Sequence, residues 1–175
     1  MGGLGGSPVA YDPPRPIRPE DDVSRFDCGR SSLDDFLRRR AVRNEGRASR
    51  TYVVRAAAGA DDWAVVAYYA LAAGAARLAE MPKALTRNMP DPMPLMILGR
   101  LAVDRRHKGR GLGRAMLKEA LQRALEASRL VGARALVVHA IDDEAAAFYA
   151  RYGFQPFPAG GRTLWLPMET IAAAL

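Results

Sequence analysis

Between residues 100 and 114 stand five arginines and one lysine against a single aspartate. Within that segment the run Leu101-Ala-Val-Asp-Arg-Arg-His-Lys-Gly-Arg-Gly-Leu-Gly-Arg-Ala-Met-Leu117 sets glycines at 109, 111 and 113 between an apolar stretch and an amphipathic one. Glycine lets a backbone approach an anion closely, and the N–H groups that open a helix point toward it. Arg106, Lys108, Arg110 and Arg114 add positive charge, so the segment reads as a phosphate cradle. Two kinds of phosphate site fail on spacing. A nucleotide P-loop needs Lys-Ser/Thr after its last glycine, whereas Gly113 is followed by Arg-Ala. A dinucleotide fingerprint needs glycine at its sixth position, which is Arg114 counted from Gly109 and Met116 counted from Gly111.

The elements around the cradle follow from periodicity. Leu95–Val103 reads as a buried strand, with Gly99 as a bulge or kink in it. Leu112, Ala115, Leu117, Ala120, Leu121, Ala124 and Leu125 make the outgoing segment an amphipathic helix. Ala135–Ala140 is a second buried strand. Asp142 can cap a short helix through Tyr152 that stops at Gly153. Phe154–Phe157 and Thr163–Pro167 look like a closing hairpin. Upstream, Arg50–Ala57 and Trp63–Ala73 form another hairpin about Gly59-Ala-Asp-Asp62. Ser31-Ser-Leu-Asp-Asp35 opens a helix, with a hydroxyl cap and acids at the positive end of the dipole. Its apolar face takes Leu33, Phe36, Leu37, Ala41 and Asn44, and Arg40, Arg43 and Arg47 run beside it as a stripe. Arg40 falls inside the apolar arc, so it either snorkels outward or enters a polar cavity. Four prolines in residues 77–94 mark a loop with one short helical turn. Residues 1–22, with four glycines and five prolines, read as a mobile arm, with an extended piece around Ile17. Residues 23–175 then make one α/β domain.

Downstream of the second strand comes Ala146-Ala-Phe-Tyr-Ala-Arg-Tyr-Gly-Phe154 in outline, that is, an aromatic helix ending at a glycine turn. Phe148, Tyr149 and Tyr152 are packing residues on the plain reading. His107 and His139 have no metal partners at useful spacing, and Cys28 reads as a small packing residue, so neither a metal site nor a nucleophile is expected.

The Gly-rich segment resembles the [Gln/Arg]-x-x-Gly-x-[Gly/Ala] loop of the GNAT acetyltransferases, as Arg106-His-Lys-Gly109-Arg-Gly111. The Ala146–Phe154 segment resembles their second signature, at about the right separation. Further stretches are similar to the acetyltransferase toxins of bacterial toxin–antitoxin modules. These are Phe26-Asp-Cys-Gly29, Leu33-Asp-Asp-Phe-Leu37, Ser49-Arg-Thr-Tyr52, Tyr68-Tyr-Ala-Leu71, Asn88-Met-Pro-Asp-Pro92 and the run from Leu98 to Arg106. The resemblance implies the GNAT fold: a mixed, mostly antiparallel central sheet with splayed parallel strands and flanking helices. It implies acetyl-CoA as co-substrate and no metal. Lys108, Gly109, Arg110, Gly111, Leu112, Gly113 and Arg114 would hold the pyrophosphate. Leu101 and Val103 would offer main-chain groups to the pantetheine, with Arg106 and Phe148 also at the cofactor. Tyr149 matches the family's tyrosine acid. The implied reaction is acetylation of the α-amino group of aminoacyl-tRNA, which blocks translation. The alternatives are acetylation of protein or small-molecule amines, and a non-catalytic CoA-binding part of a DNA-bound complex. No general base stands out. An α-amine titrates near 7.7–8.0 and a lysine near 10.4, a difference worth about 3.5 kcal/mol, so the missing base favours an α-amine.

Charge and composition bear on partners. The chain of 175 residues carries +7, and twenty-three of its 26 cations are arginine. Residues 30–55 hold eight arginines against three acids. Solvated surface is the plain reading of such a face; the alternative is a polyanion, since the guanidinium fork suits phosphate. On that reading Arg38, Arg39, Arg40, Arg43 and Arg47, with Arg77, Arg87 and Arg100, would track the tRNA acceptor backbone. The toxin resemblance also implies a ribbon-helix-helix antitoxin, operator DNA bound only through it, and a homodimer. The longest uncharged apolar run, Trp63–Ala76, has 14 residues where a span needs about 20. With one cysteine and no signal-peptide pattern, the chain is expected in the cytoplasm and off the membrane.

Overall fold

β-Branched and aromatic residues build the frame. The computed structural model describes residues 9–57 and 62–175. Its strands are β1 (Ala10–Tyr11), β2 (Arg15–Pro16), β3 (Arg50–Ala57), β4 (Trp63–Ala76), β5 (Met93–Val103), β6 (Ala135–His139), β7 (Gln155–Pro156) and β8 (Thr163–Pro167). They hydrogen-bond in the order β1-β3-β4-β5-β6-β8-β7, with β2 also on β3. β5 and β6 run parallel; the pairs β1–β3, β2–β3, β6–β8 and β7–β8 are antiparallel. The helices are α1 (Ser31–Arg39), α2 (Ala41–Asn44), α3 (Lys83–Thr86), α4 (Leu112–Val131), α5 (Asp143–Arg151) and α6 (Met168–Ala174). This mixed α/β sheet with flanking helices is the expected fold class.

The chain divides into two compact units, Met1–Tyr69 with Leu101–Met116, and Ala70–Arg100 with Leu117–Leu175. In the first, Tyr68 is fully buried between Phe26 (ring centroids 5.6 Å) and Phe36 (6.1 Å). Its hydroxyl donates to the Leu33 carbonyl at 2.7 Å, which satisfies the one polar atom that burial would strand. Composition suggested an arm over residues 1–22. Residues 1–8 lie outside the described residues, but from Ala10 onward the chain is tied down: Tyr11 pairs with Ala56, Arg15 with Val53, and Ile17 is buried. Prolines are tolerated here because β1 and β2 are short edge strands. The loop about Gly59 also lies outside the described residues.

The first helix corrects two expectations. Its N-cap is Arg30 with no side-chain cap; the buried Asp34 carboxylate instead accepts from the Cys28 N–H at 2.9 Å. The helix is broken at Arg40, which leaves helical dihedrals, and Arg40 points outward to solvent. Beyond Asn44 the Glu45 carboxylate turns back onto the Thr51 N–H (2.7 Å) and Arg50 (3.0 Å), with Gly46 at φ 73°. Arg47 therefore lies in this turn, and the arginine stripe is not one helical face.

In the second unit, Met81, Leu85 and Met93 from the proline-rich stretch pack with Leu95, Val137 and Trp165. That stretch holds a 3-10 turn at Leu78–Glu80 and the single turn α3, as its prolines require. The closing hairpin β7–β8 forms as expected. The C-terminal helix α6, which no sequence signal marked, buries Met168 and Ile171.

Candidate functional site

The basic loop of the first unit is built around one carboxylate. Asp104 follows directly on β5, is fully buried, and caps the 3-10 turn Arg105–His107. Its Oδ1 accepts from the Arg106 N–H and Nε, both at 2.9 Å, and its Oδ2 from Arg106 Nη2 at 2.8 Å and the Asp27 N–H at 3.1 Å. Burial alone would raise its pKa; the Arg106 guanidinium and the N–H donors outweigh that and hold the carboxyl below the usual range. Arg106 also donates to the Arg25 carbonyl at 2.7 Å, so its side chain is spent bracing the loop.

Gly109 and Gly111 sit at φ 76° and 79°, with nothing within 4 Å of a Cβ built on either. The glycines are needed for backbone conformation, and the space over them is open. Gly113 differs, because it is already inside α4. The first helical bond of α4 runs from the Ala115 N–H to the Gly111 carbonyl at 3.0 Å. The N–H groups of Leu112, Gly113 and Arg114 thus have no acceptor within the helix, and no acid stands in its first turn. Lys108 Nζ donates to the Cys28 carbonyl at 3.3 Å, and Arg110 Nη1 to the Tyr11 hydroxyl at 3.3 Å. Arg114 is exposed with no ion pair among the described residues. Burial holds the His107 imidazole below its usual pKa; Asp104 opposes this, and Arg110 and Arg106 reinforce it. Leu101 and Val103 are half-buried. The arrangement fits a polyanion such as a pyrophosphate, held by backbone amides.

Cys28 is no nucleophile. Burial, with the Asp34 carboxylate, pushes its thiol up to about 11.

The second unit holds the aromatic helix. Asp142 caps α5, accepting from the Ala145 N–H at 2.8 Å, and Gly153 turns the chain at φ 93°. Tyr149 is buried between Phe148 (5.4 Å) and Phe154 (5.5 Å), with both contacts edge-on. That burial pushes its phenol above the usual pKa, so it stays protonated at neutral pH. The parallel ladder is short: Met96, Ile97 and Leu98 pair with Leu136, Val137 and Val138. Gly99 and His139 are the next residues, and β5 runs on past them to Val103. At Gly99, where a bulge or kink is expected from the sequence, β5 continues as strand while its parallel ladder ends. His139 is exposed, with Nδ1 2.9 Å from Thr163 Oγ1. Among the described residues no three His, Cys, Asp or Glu side chains gather as metal ligands.

The proposed polyanion arginines differ in how they are engaged. Arg40, Arg43, Arg47 and Arg87 are exposed with no ion pair among the described residues. Arg38 donates to the Phe26 carbonyl, Arg39 lies 4.0 Å from Asp35, and Arg77 is 2.9 Å from Glu80. Arg100 is half-buried and has a partner.

The model of the acetyltransferase (GNAT) domain family matches residues 48–156. The chain belongs to the GNAT acetyltransferase family. It is 43% identical over 166 residues, 94% of this chain and 97% of the relative, to a tRNA-acetylating toxin of Mycobacterium tuberculosis (strain ATCC 25618 / H37Rv). Among solved structures, a Tyr-to-Phe mutant of KacT superposes with a TM-score of 0.84 at 26% identity, covering 95% of this chain and 99% of that one. AtaT complexed with acetyl-methionyl-tRNAfMet gives 0.81 at 28%, with the same coverages. The chain is also similar to AtaTR bound with acetyl-CoA (0.79) and to AtaT–AtaR bound to DNA (0.72), each at 28% identity.

The sequence of this GNAT chain singles out the loop and Tyr149 but not Asp104, which anchors the loop, or Tyr11, which lies against it. A lone acid at a strand end inside a basic run was the available signal for Asp104. Nothing in the sequence pointed from residue 11 to residue 107.

Proposed function

We propose that this acetyltransferase is a toxin that uses acetyl-CoA to acetylate the α-amino group of aminoacyl-tRNA and so blocks translation. The observation that carries this reading is the 43% identity, nearly end to end, to a tRNA-acetylating toxin. The similar AtaT complex with acetyl-methionyl-tRNAfMet supports it. The catalytic domain in this reading spans residues 23–175.

The backbone amides from Lys108 to Arg114 hold the pyrophosphate, and main-chain groups of Leu101 and Val103 receive the pantetheine. Arg106 serves through Asp104, and Phe148 packs beside Tyr149 at the cofactor. The bound thioester supplies an activated acetyl group. The amine arrives unprotonated, which an α-amine near pKa 8 does without a dedicated base. Its nitrogen bonds to the acetyl carbon as the carbon–sulfur bond breaks. Tyr149 donates its phenolic proton to the departing sulfur, the acylated nitrogen loses its extra proton to solvent, and solvent returns a proton to the Tyr149 phenolate. Arg38, Arg39, Arg40, Arg43, Arg47, Arg77, Arg87 and Arg100 face the tRNA backbone. Such contacts give affinity and salt dependence without reading sequence.

A ribbon-helix-helix antitoxin is the proposed partner; it would cover the basic surface and carry the complex to operator DNA. Similar toxins bound to antitoxin and to DNA support this. We place the active form in the cytoplasm as a homodimer. Incubation with labelled acetyl-CoA and total charged tRNA is expected to label the aminoacyl end. Label found only on proteins or free amines would reject the reading.

A further inference from the structure

We infer that Tyr11 is a positioning residue for the coenzyme loop, acting as a clasp across Gly109. The inference rests on the acetyl-CoA reading of that loop. Tyr11 lies 96 residues from His107 in sequence, yet its hydroxyl is 2.8 Å from His107 Nδ1 and the two rings meet edge-on at 5.6 Å. The same hydroxyl oxygen accepts from Arg110 Nη1 at 3.3 Å. One side chain therefore holds the residues on either side of the Lys108–Gly109 pair.

That grip does not serve to dock β1. The strand is already fixed by its register, Ala10 on Ala57 and Tyr11 on Ala56. It is fixed again by Asp12, which accepts from the Arg55 N–H at 2.6 Å and Nε at 2.7 Å while its own N–H donates to the Arg55 carbonyl. The hydroxyl is left to reach the loop, and the loop needs restraint. Gly109 and Gly111 have permissive backbones and no neighbour within 4 Å of a would-be Cβ, so nothing steric fixes their dihedrals. Asp104 pins the entrance to the loop, and α4 fixes its exit. Tyr11 secures the middle.

The Tyr11 oxygen accepts from Arg110, and the same hydroxyl shares a hydrogen bond with His107 Nδ1. Burial, with the charges of Arg110 and Arg106, favours the neutral imidazole, against Asp104. Amides held in place before binding need no ordering when the anion arrives, so the clasp acts on affinity for the coenzyme rather than on acetyl transfer.

The test uses the full chain, with CoA binding by calorimetry, steady-state kinetics and thermal midpoints. In Tyr11→Phe, which keeps the ring and loses the hydroxyl, Kd for CoA and KM for acetyl-CoA are expected to rise about three- to ten-fold. The kcat, the KM for charged tRNA and the midpoint stay unchanged. His107→Ala is expected to reproduce the loss, and His107→Asn, whose amide can donate or accept where Nδ1 stood, to recover most of it. Binding of CoA to Tyr11→Phe as tightly as to the parent overturns the inference and leaves the coenzyme reading intact. The inference also falls if weakened binding comes with a lowered midpoint and no rescue by His107→Asn, because the role is then structural only. A parent chain that does not bind CoA overturns the coenzyme reading itself.

Discussion

A tyrosine that protonates a leaving group must keep its proton until the sulfur carries charge. In the role proposed for Tyr149, burial between Phe148 and Phe154 does this by raising its phenol above the ordinary value near 10, while a thiol titrates near 8.5. Full transfer to the thiolate therefore stays uphill even with the carbon–sulfur bond broken, so the phenol acts first as a hydrogen-bond donor to the charge that develops on sulfur. Tyr149→Phe is expected to lower kcat by about 10²–10⁴ with little change in the KM for acetyl-CoA, as read from steady-state acetylation of charged tRNA. Asp104 matters in another way, as a buried anion whose partners are all donors. Asp104→Asn leaves Arg106 without a counter-charge, and unfolding in urea should show a loss of about 1–3 kcal/mol. The carboxyl's folded pKa is depressed, so its stabilisation is fully present above the unfolded value near 3.9. It is lost as pH falls from there through the folded value. The parent's stability should accordingly fall below about pH 4, and the Asp104→Asn variant should show less of that fall.

Elements were legible where composition speaks through periodicity. Strands β3, β5, β6 and β8 stand where Val-rich and Leu-rich runs predicted them, and α5 starts at the Asp142 cap. The misses have physical reasons. No hydrophobic period reveals that Glu45 folds back onto β3 and breaks the arginine stripe, because a polar side chain closes that short turn onto the next strand's backbone. The pairing of β1 and β2 with β3 is tertiary, and a Gly/Pro-rich composition hides it. The loop's glycines were legible as a set, yet their roles divide: two need positive φ, while Gly113 is helical. Another glycine carries a requirement that only the structure exposes. A Cβ on Gly74 in β4 would meet Ile97 Cδ1 at 2.4 Å and Cγ1 at 2.9 Å in β5. Gly74→Ala is expected to destabilise by about 1–3 kcal/mol, and by much less in an Ile97→Ala background. A double-mutant cycle in urea measures that coupling.

Over the whole molecule the net charge of +7 is carried mainly by arginine, and its placement separates two tasks. Asp104 and Asp27 engage Arg106 and Arg105 in the loop, whereas Arg40, Arg43 and Arg47 stand in solvent without ion pairs among the described residues. Replacing those three with Gln should raise the KM for charged tRNA and flatten its log–log salt dependence by about two units. The KM for acetyl-CoA should stay where it was. The same region contains the chain's one cysteine. Its carbonyl holds Lys108 and its amide holds Asp34, while its thiol, at about 11, hardly ionises. Electrophiles and peroxide should pass it by while the fold is closed, so the enzyme needs no reductant to survive an oxidising buffer. The rate at which a maleimide captures Cys28 then becomes a clock for the opening of the segment that holds Lys108 and Asp34.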